Sequence, residues 1–161
     1  MFKKAEIVSF TRDLLESFEQ QTRVKKLDLK FHTSAPEIEM WIDPKNFDKI
    51  ILNLLSNACK FTPENGQVEI SLSTGEDTHL PQNAPLRRYV ELTVADSGIG
   101  IASTEREHIF ERFYQIRNSQ NNSNIGTGIG LHLTRSLVEL HYGNIHVEDN
   151  GCLLYTSPSP R

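Results

Sequence analysis

Apolar residues at Ile7, Phe10, Leu14 and Phe18 recur at steps of three and four, the spacing that lines one side of an α-helix. Lys25-Lys26 supplies the cationic end that such a segment favours, so the pattern predicts a helix reaching to about that point. The periodicity then changes. Leu27 to His32 and Glu37 to Ile42 read as two short strands split by the turn-forming Ser34-Ala35-Pro36. Asp43 stands where a helix N-cap belongs, Pro44 suits the first helical position, and Ile42 is placed to staple against Phe47. The helix so opened has Phe47, Ile50, Ile51, Leu54, Leu55 and Ala58 on one side, and Thr62-Pro63-Glu64-Asn65-Gly66 stops it.

Beyond that stop the period becomes two. Val68, Ile70 and Leu72 alternate in one strand and Val90, Leu92 and Val94 in another, with a Gly/Pro-containing loop from Ser73 to Arg88 between them. Thr104 and Glu107 form a capping-box pattern ahead of a short helix with Ile109, Phe110 and Phe113. Gln115 to Asn124 is polar and without apolar anchors, so it is expected to be mobile. A last helix is expected to bury Ile129, Leu133, Leu137 and Leu140, to end near Gly143, and to feed a strand from Ile145 to Asp149. Helices and strands are intermixed, which predicts an α/β or α+β domain in two layers.

Composition narrows this picture. At 161 residues the chain is long enough for one core and too short for two independent domains. Seventeen basic against 21 acidic residues leave a net charge of −4, so a nucleic-acid-binding surface has no support. No apolar run reaches the length of a membrane span, and the first residues lack the apolar stretch of a signal peptide. Two cysteines, Cys59 and Cys152, exclude a disulfide scaffold and favour a reducing compartment. The last ten residues, CLLYTSPSPR, continue no pattern and read as the translation of a DNA-library adapter. On that reading Cys152 to Arg161 is a non-native tail, residues 27–151 are the domain, and residues 1–26 are a leading helix that ends a linker.

Three places carry candidate chemistry. At about 100° per residue, Asn53, Asn57 and Lys60 fall within an arc of roughly 60° that borders the apolar side of their helix. Carboxamide oxygens can bind a hard cation such as Mg²⁺, and an ammonium suits phosphate oxygens. Taken alone, the stripe reads as a solvated helix face before it reads as a site. Asp96 continues the inward alternation of Val90, Leu92 and Val94, so its carboxylate needs a donor, which a base such as adenine could offer through its exocyclic amino group. Gly98 and Gly100 just after it permit close approach of backbone and ligand; an Asp turn before two structural glycines is the competing account. Gly126-Thr127-Gly128-Ile129-Gly130 opens the last helix, where exposed amides attract phosphate. Leu131 occupies the third glycine position of a dinucleotide fingerprint and no Walker A sequence occurs, so neither of those folds is indicated. His32, His79, His108, His132, His141 and His146 form no metal-ligand spacing and read as surface or core histidines.

Together these segments carry a resemblance. Asn53 to Thr62 (NLLSNACKFT) resembles the N box of sensor histidine kinases, and Asp96 to Gly100 (DSGIG) their first glycine box. Phe110-Glu111-Arg112-Phe113-Tyr114 resembles the F box and Gly126 to Leu131 (GTGIGL) the second glycine box. The four stand in family order and at family spacing over about Ile7 to Gly151, and the wording is nearest to bacterial hybrid two-component sensors. The resemblance implies the catalytic and ATP-binding domain, a GHKL-type, Bergerat-type two-layer sandwich of a mixed sheet on about three helices, shared with type II topoisomerases, mismatch-repair ATPases and a heat-shock chaperone.

Carried over by residue, the resemblance implies that Asn57 ligates Mg²⁺ and that Asn53 supports the metal or the phosphates. Lys60 would contact phosphate, Phe61 the adenine side, and Asp96 the adenine amino group. Phe110, Phe113 and Tyr114 would border the nucleotide, and Arg112 would approach the transferred phosphate. Gly98 and Gly100 would admit the nucleotide, and the Gly126, Thr127, Gly128 and Gly130 backbone, with Leu131 behind it, would cradle its phosphates under a lid from Gln115 to Asn124. ATP and Mg²⁺ are the implied cofactors. The implied partners are a histidine-bearing dimerisation domain and a response-regulator receiver domain, in the cytoplasmic part of a membrane-anchored sensor; this domain itself would touch neither nucleic acid nor membrane. The acceptor histidine of the family lies in a motif absent from these residues. With residues from Cys152 set aside, the sheet is expected to lack its closing strand and to leave the Ile145 strand with an open edge.

Overall fold

The computed structural model of the chain describes residues 1–76, 88–97, 130–148 and 151–156. The first helix, α1 (Ile7–Val24), is opened by Glu6, whose carboxylate accepts from the backbone N–H groups of Val8 (2.8 Å) and Ser9 (2.9 Å). Its fully buried row is Ile7, Val8, Thr11, Leu15, Phe18 and Thr22, with the expected Phe10 and Leu14 packed at the margin of the core. Lys25 follows as C-cap, and Lys26 takes the left-handed conformation (φ 57°) that turns the chain into the sheet.

The second helix, α2 (Pro44–Phe61), buries all six residues that its period assigns to the core. Asp43 holds the N-cap position, but its side chain makes no backbone cap; Oδ2 accepts from Asn46 Nδ2 at 3.0 Å. At the other end the Thr62 hydroxyl donates to Ala58 O at 2.6 Å and Asn65 adopts φ 69° in the turn. Gly66 completes this turn because nothing larger fits: a Cβ there would lie 2.3 Å from Thr62 Cγ2 and 2.8 Å from Pro63 O.

Five strands form a mixed sheet in the order β2-β4-β5-β7-β6, with β2 at Asp28–Thr33, β4 at Gln67–Glu76, β5 at Arg88–Asp96, β6 at Asn144–Glu148 and β7 at Gly151–Thr156. Only the β2–β4 pair is parallel. Ile70 faces Val94 and Leu72 faces Leu92 across the β4–β5 ladder, so the two alternating patterns meet on one buried side. On that side α1 packs on β2, α2 on β5, and the third helix, α3 (Gly130–Leu140), on β6. This is the α/β two-layer sandwich that the sequence predicts.

Four expectations are corrected. A strand absent from the sequence reading, β1 (Lys3–Glu6), pairs antiparallel with β3 (Glu39–Ile42) as a separate two-stranded sheet; the alternation of Lys3-Lys4-Ala5-Glu6 is too polar to signal it. The β4–β5 hairpin runs on to Glu76 and Arg88, through residues assigned to a loop, because backbone pairing continues past the last buried pair. Of the residues expected inside α3, Leu137 is buried, Leu133 and Leu140 are 40% and 48% exposed and Ile129 lies outside the described residues; Thr134, Val138 and, just after the helix, His141 are the other buried positions. Polar side chains occupy inner positions because each finds a hydrogen-bond partner there. Last, the sheet has its closing strand. Residues 152–156, set aside as tail, belong to β7, which lies between β5 and β6 and pairs with both. An extended segment at that place satisfies two ladders of N–H and C=O groups that would otherwise stay open.

Candidate functional site

The Asn53, Asn57 and Lys60 stripe lies on α2 as its period predicts, half-buried at the border of the core. Asn53 Nδ2 donates to Thr134 Oγ1 of α3 at 3.3 Å, so the stripe sits along the seam between the two helices. Among the described residues none hydrogen-bonds the Asn57 side chain. Phe61, also half-buried, ends the same helix.

The last turn of α2 is held from α1. Lys25 Nζ donates to Cys59 O at 2.7 Å and to Lys60 O at 3.2 Å, placing a cation on the carbonyl end of the helix dipole. Asp96 closes β5 opposite Val68 and is half-buried. Its charge reaches Cys59: burial pushes that thiol up to about 11 from its ordinary 9.0, the Lys25 ammonium opposes the rise, and the Asp96 carboxylate adds to it. β5 packs on α2, and Thr62 at the end of the helix and Ser97 just after the strand both lie against Gly66, so the end of β5 and the last turn of α2 are neighbours, which brings Asp96 to the end of the helix that carries Asn57, Lys60 and Phe61. Next to Asp96, Ser97 is pinned to the start of β4: its N–H donates to Gln67 O at 3.0 Å and its Oγ accepts from Gln67 N–H at 2.9 Å. The chain that leads away from Asp96 thus has a fixed starting direction.

Gly130 and Leu131 open α3, with Leu131 partly buried against the core. Gly98, Gly100, Phe110, Arg112, Phe113, Tyr114, Gly126, Thr127 and Gly128 lie outside the described residues, as do the Thr104–Glu107 capping box and the 115–124 segment. Among the described residues no three His, Cys, Asp or Glu side chains could share a metal ion. A cation here would draw on the Asn57 oxygen and on oxygens brought by a ligand. A cavity of about 820 Å³ opens at the other end of β4 and β5, beside Glu39, Gly75 and Tyr89; Val90 in its wall lies six positions before Asp96, roughly 20 Å along a strand, so it is not part of this site.

Sequence reasoning missed three residues that shape the site: Lys25, Thr134 and His141. The latter two fall in the phase of Leu137 and Val138, and a polar residue in that phase is the signal that could have found them.

Residues 42–158 match the family of histidine kinase-, DNA gyrase B-, and HSP90-like ATPases. The sensor histidine kinase TmoS of Ectopseudomonas mendocina is 36% identical over 148 residues, which are 92% of this chain and 14% of that protein. The nucleotide-free catalytic domain of histidine kinase ThkA superposes with a TM-score of 0.77 at 25% identity, over 98% of this chain and 97% of that one. ThkA in complex with the response regulator TrrA also shares the fold, with a TM-score of 0.74 at 22% identity, over 99% of this chain and 42% of that one. The chain thus belongs to the histidine kinase-, DNA gyrase B-, and HSP90-like ATPase family, as an ATP-binding catalytic domain of the histidine kinase type. Among the described residues no helix is long and apolar enough to cross a membrane.

Proposed function

We propose that this domain binds ATP with Mg²⁺ and presents the γ-phosphate to a histidine supplied by a separate dimerisation domain, the autokinase step of two-component signalling. The observation that supports the reading is the packing of β5 on α2, with Thr62 at the end of the helix and Ser97 beside Asp96 both against Gly66; an acceptor for a base and a polar stripe for phosphates are then near one end of the domain. Asp96 accepts from the adenine amino group and Phe61 borders the base. Lys60 sets its ammonium against phosphate oxygens. Asn57 is the ligand for Mg²⁺, which when bound neutralises charge on the phosphates, and Asn53 supports the metal or the phosphates; so few protein oxygens suit an ion that keeps most of its other ligands as water and phosphate. Gly98 and Gly100 admit the nucleotide beside Asp96, and Phe110, Phe113 and Tyr114 border it. The amides of Gly126 to Gly130 cradle the phosphates, and Arg112 serves the transferred group. Phosphoryl transfer asks a protein mainly for positioning and charge neutralisation, which is what this set supplies.

A hydrolysing ATPase of the same family is the alternative. Such members place a glutamate four residues before the metal-binding asparagine, and here that position is Asn53, whose amide donates to Thr134. A carboxamide has no basicity with which to take a proton from water. A receiver domain is the onward acceptor of the phosphate, and the parent is a membrane-anchored sensor with this domain in the cytoplasm. The test is to incubate the chain with γ-labelled Mg·ATP, alone and with a separately supplied histidine-bearing dimerisation domain. The reading expects slow phosphate release alone and acid-labile label on the added domain; rapid release alone with no label transferred would favour the hydrolase.

A further inference from the structure

The Thr134 side chain is fully buried where α3 meets α2, and its Oγ1 accepts from Asn53 Nδ2 at 3.3 Å. A planar carboxamide held by its nitrogen turns its oxygen the opposite way, and the flipped amide would keep a bond here only if the Thr134 hydroxyl turned its proton toward it. Asn53 Oδ1 accepts from none of the described residues. A threonine in a helix commonly donates its own hydroxyl proton to a carbonyl of the preceding turn, which leaves Oγ to act as acceptor. The contact also joins two site elements: Asn53 lies one helical turn before Asn57, and Thr134 lies one turn after Gly130, the last residue of the glycine segment.

We infer that Thr134 is a positioning residue for the nucleotide site: its hydroxyl fixes the flip of the Asn53 carboxamide, presenting Oδ1 to the Mg²⁺–phosphate group while registering α3 against α2. The inference rests on the proposed ATP reading for the identity of the ligand, and on the hydrogen bond alone for the orientation of the amide. Valine is the informative replacement, since it keeps the shape of threonine and removes the acceptor, and serine restores the hydroxyl.

The experiment measures ATP affinity calorimetrically for the parent chain, Thr134→Val and Thr134→Ser, each with Mg²⁺ and with EDTA, beside hydrogen exchange of the Asn53 side-chain amide by NMR. The expected result is a Mg·ATP affinity weakened on the order of threefold to tenfold in Thr134→Val, as for loss of one neutral hydrogen bond, with little change in EDTA and recovery in Thr134→Ser. One Asn53 amide proton should be protected in the parent and in Thr134→Ser and lose that protection in Thr134→Val. A merely structural role would lower the melting temperature and shift both affinities alike. Equal loss with and without Mg²⁺, or no recovery in serine, would overturn the inference. If the parent fails to bind ATP, the functional reading falls, and the amide decides the rest: the same exchange rate in the parent and Thr134→Val would overturn the positioning role as well.

Discussion

The backbone N–H of Asp43 donates to Nε2 of His141 at 3.1 Å, across 98 positions of chain. It joins the first turn of α2 to the residue after α3. Nδ1 of the same ring is 2.8 Å from Leu137 O, so Nδ1 is the donor there and Nε2 the acceptor from Asp43. Phe2 and Phe47 pack against the ring at centroid separations of 4.9 and 5.8 Å. With the Asn53–Thr134 contact further along, α2 and α3 are tied at two points, and the distance between the N-box stripe and the start of α3 is set by both.

Replacing His141 by phenylalanine keeps the ring volume and leaves the Asp43 N–H without its acceptor. The expected cost is roughly 1–3 kcal/mol, the penalty of a stranded polar group. Denaturant unfolding of the parent and His141→Phe checks it. A variant as stable as the parent would show that this bond does not tie the two helices.

Glu6 ties α1 to the two-stranded sheet, accepting from Ile38 N–H at 2.8 Å as well as from its own helix. Burial pushes its carboxyl up, but the bonds from Ile38, Ser9 and Val8 outweigh that and bring it down to about 2 from its ordinary 4.5. A depressed acid contributes stability that is fully present above 4.5 and is lost as pH falls through about 2. The stability difference between the parent and Glu6→Gln should therefore hold steady near neutral pH and shrink progressively in acid. Denaturant midpoints across that range measure it, and a difference that ignores pH would contradict the assignment.

Cys59 reports on the end of the site. Its raised value keeps the thiol protonated, a contribution to stability present below 9.0 and lost as pH rises through about 11. In mildly alkaline buffer the folded chain should hold about 100-fold less Cys59 thiolate than the unfolded chain, with alkylation correspondingly slow in peptide-resolved mass spectrometry. Asp96→Asn should speed alkylation and Lys25→Met should slow it further. If Asp96→Asn leaves the rate unchanged, the carboxylate is not beside the last turn of α2.

Much of this architecture is legible in the sequence because periodicity is strong where one side of an element is buried. The six core residues of α2 and the paired alternation of β4 and β5 follow from it directly. The strands that the sequence does not signal lie where backbone pairing rather than side-chain burial decides. Lys3 to Glu6 and Ser73 to Glu76 are strands by virtue of their partners, Met40 or Val90 among them, and show no apolar alternation. Gly151 to Thr156 is a strand because β5 and β6 both offer it an edge. In α3 only Leu137 of the leucine row is buried, and the inner face is completed by a threonine and, just beyond the helix, a histidine, which are as well accommodated as leucine once hydrogen-bonded. For the site, the types and spacing of Asn53, Asn57, Lys60 and Asp96 were readable, whereas the seam contact to Thr134 and the Lys25 clasp required knowing which helices meet.

The central claim is that Asp96 and the α2 stripe form one nucleotide site. It is tested most directly by calorimetric titration of Mg·ATP into the parent chain and into Asp96→Asn, in which an amide replaces a group that could only accept. The account predicts saturable binding in the parent and a loss of at least about tenfold in affinity in the variant, the cost of stranding a charged-group hydrogen bond, in a variant whose melting curve shows it folded. Equal binding by both proteins would contradict the role given to Asp96, and no binding by a folded parent would contradict the site itself.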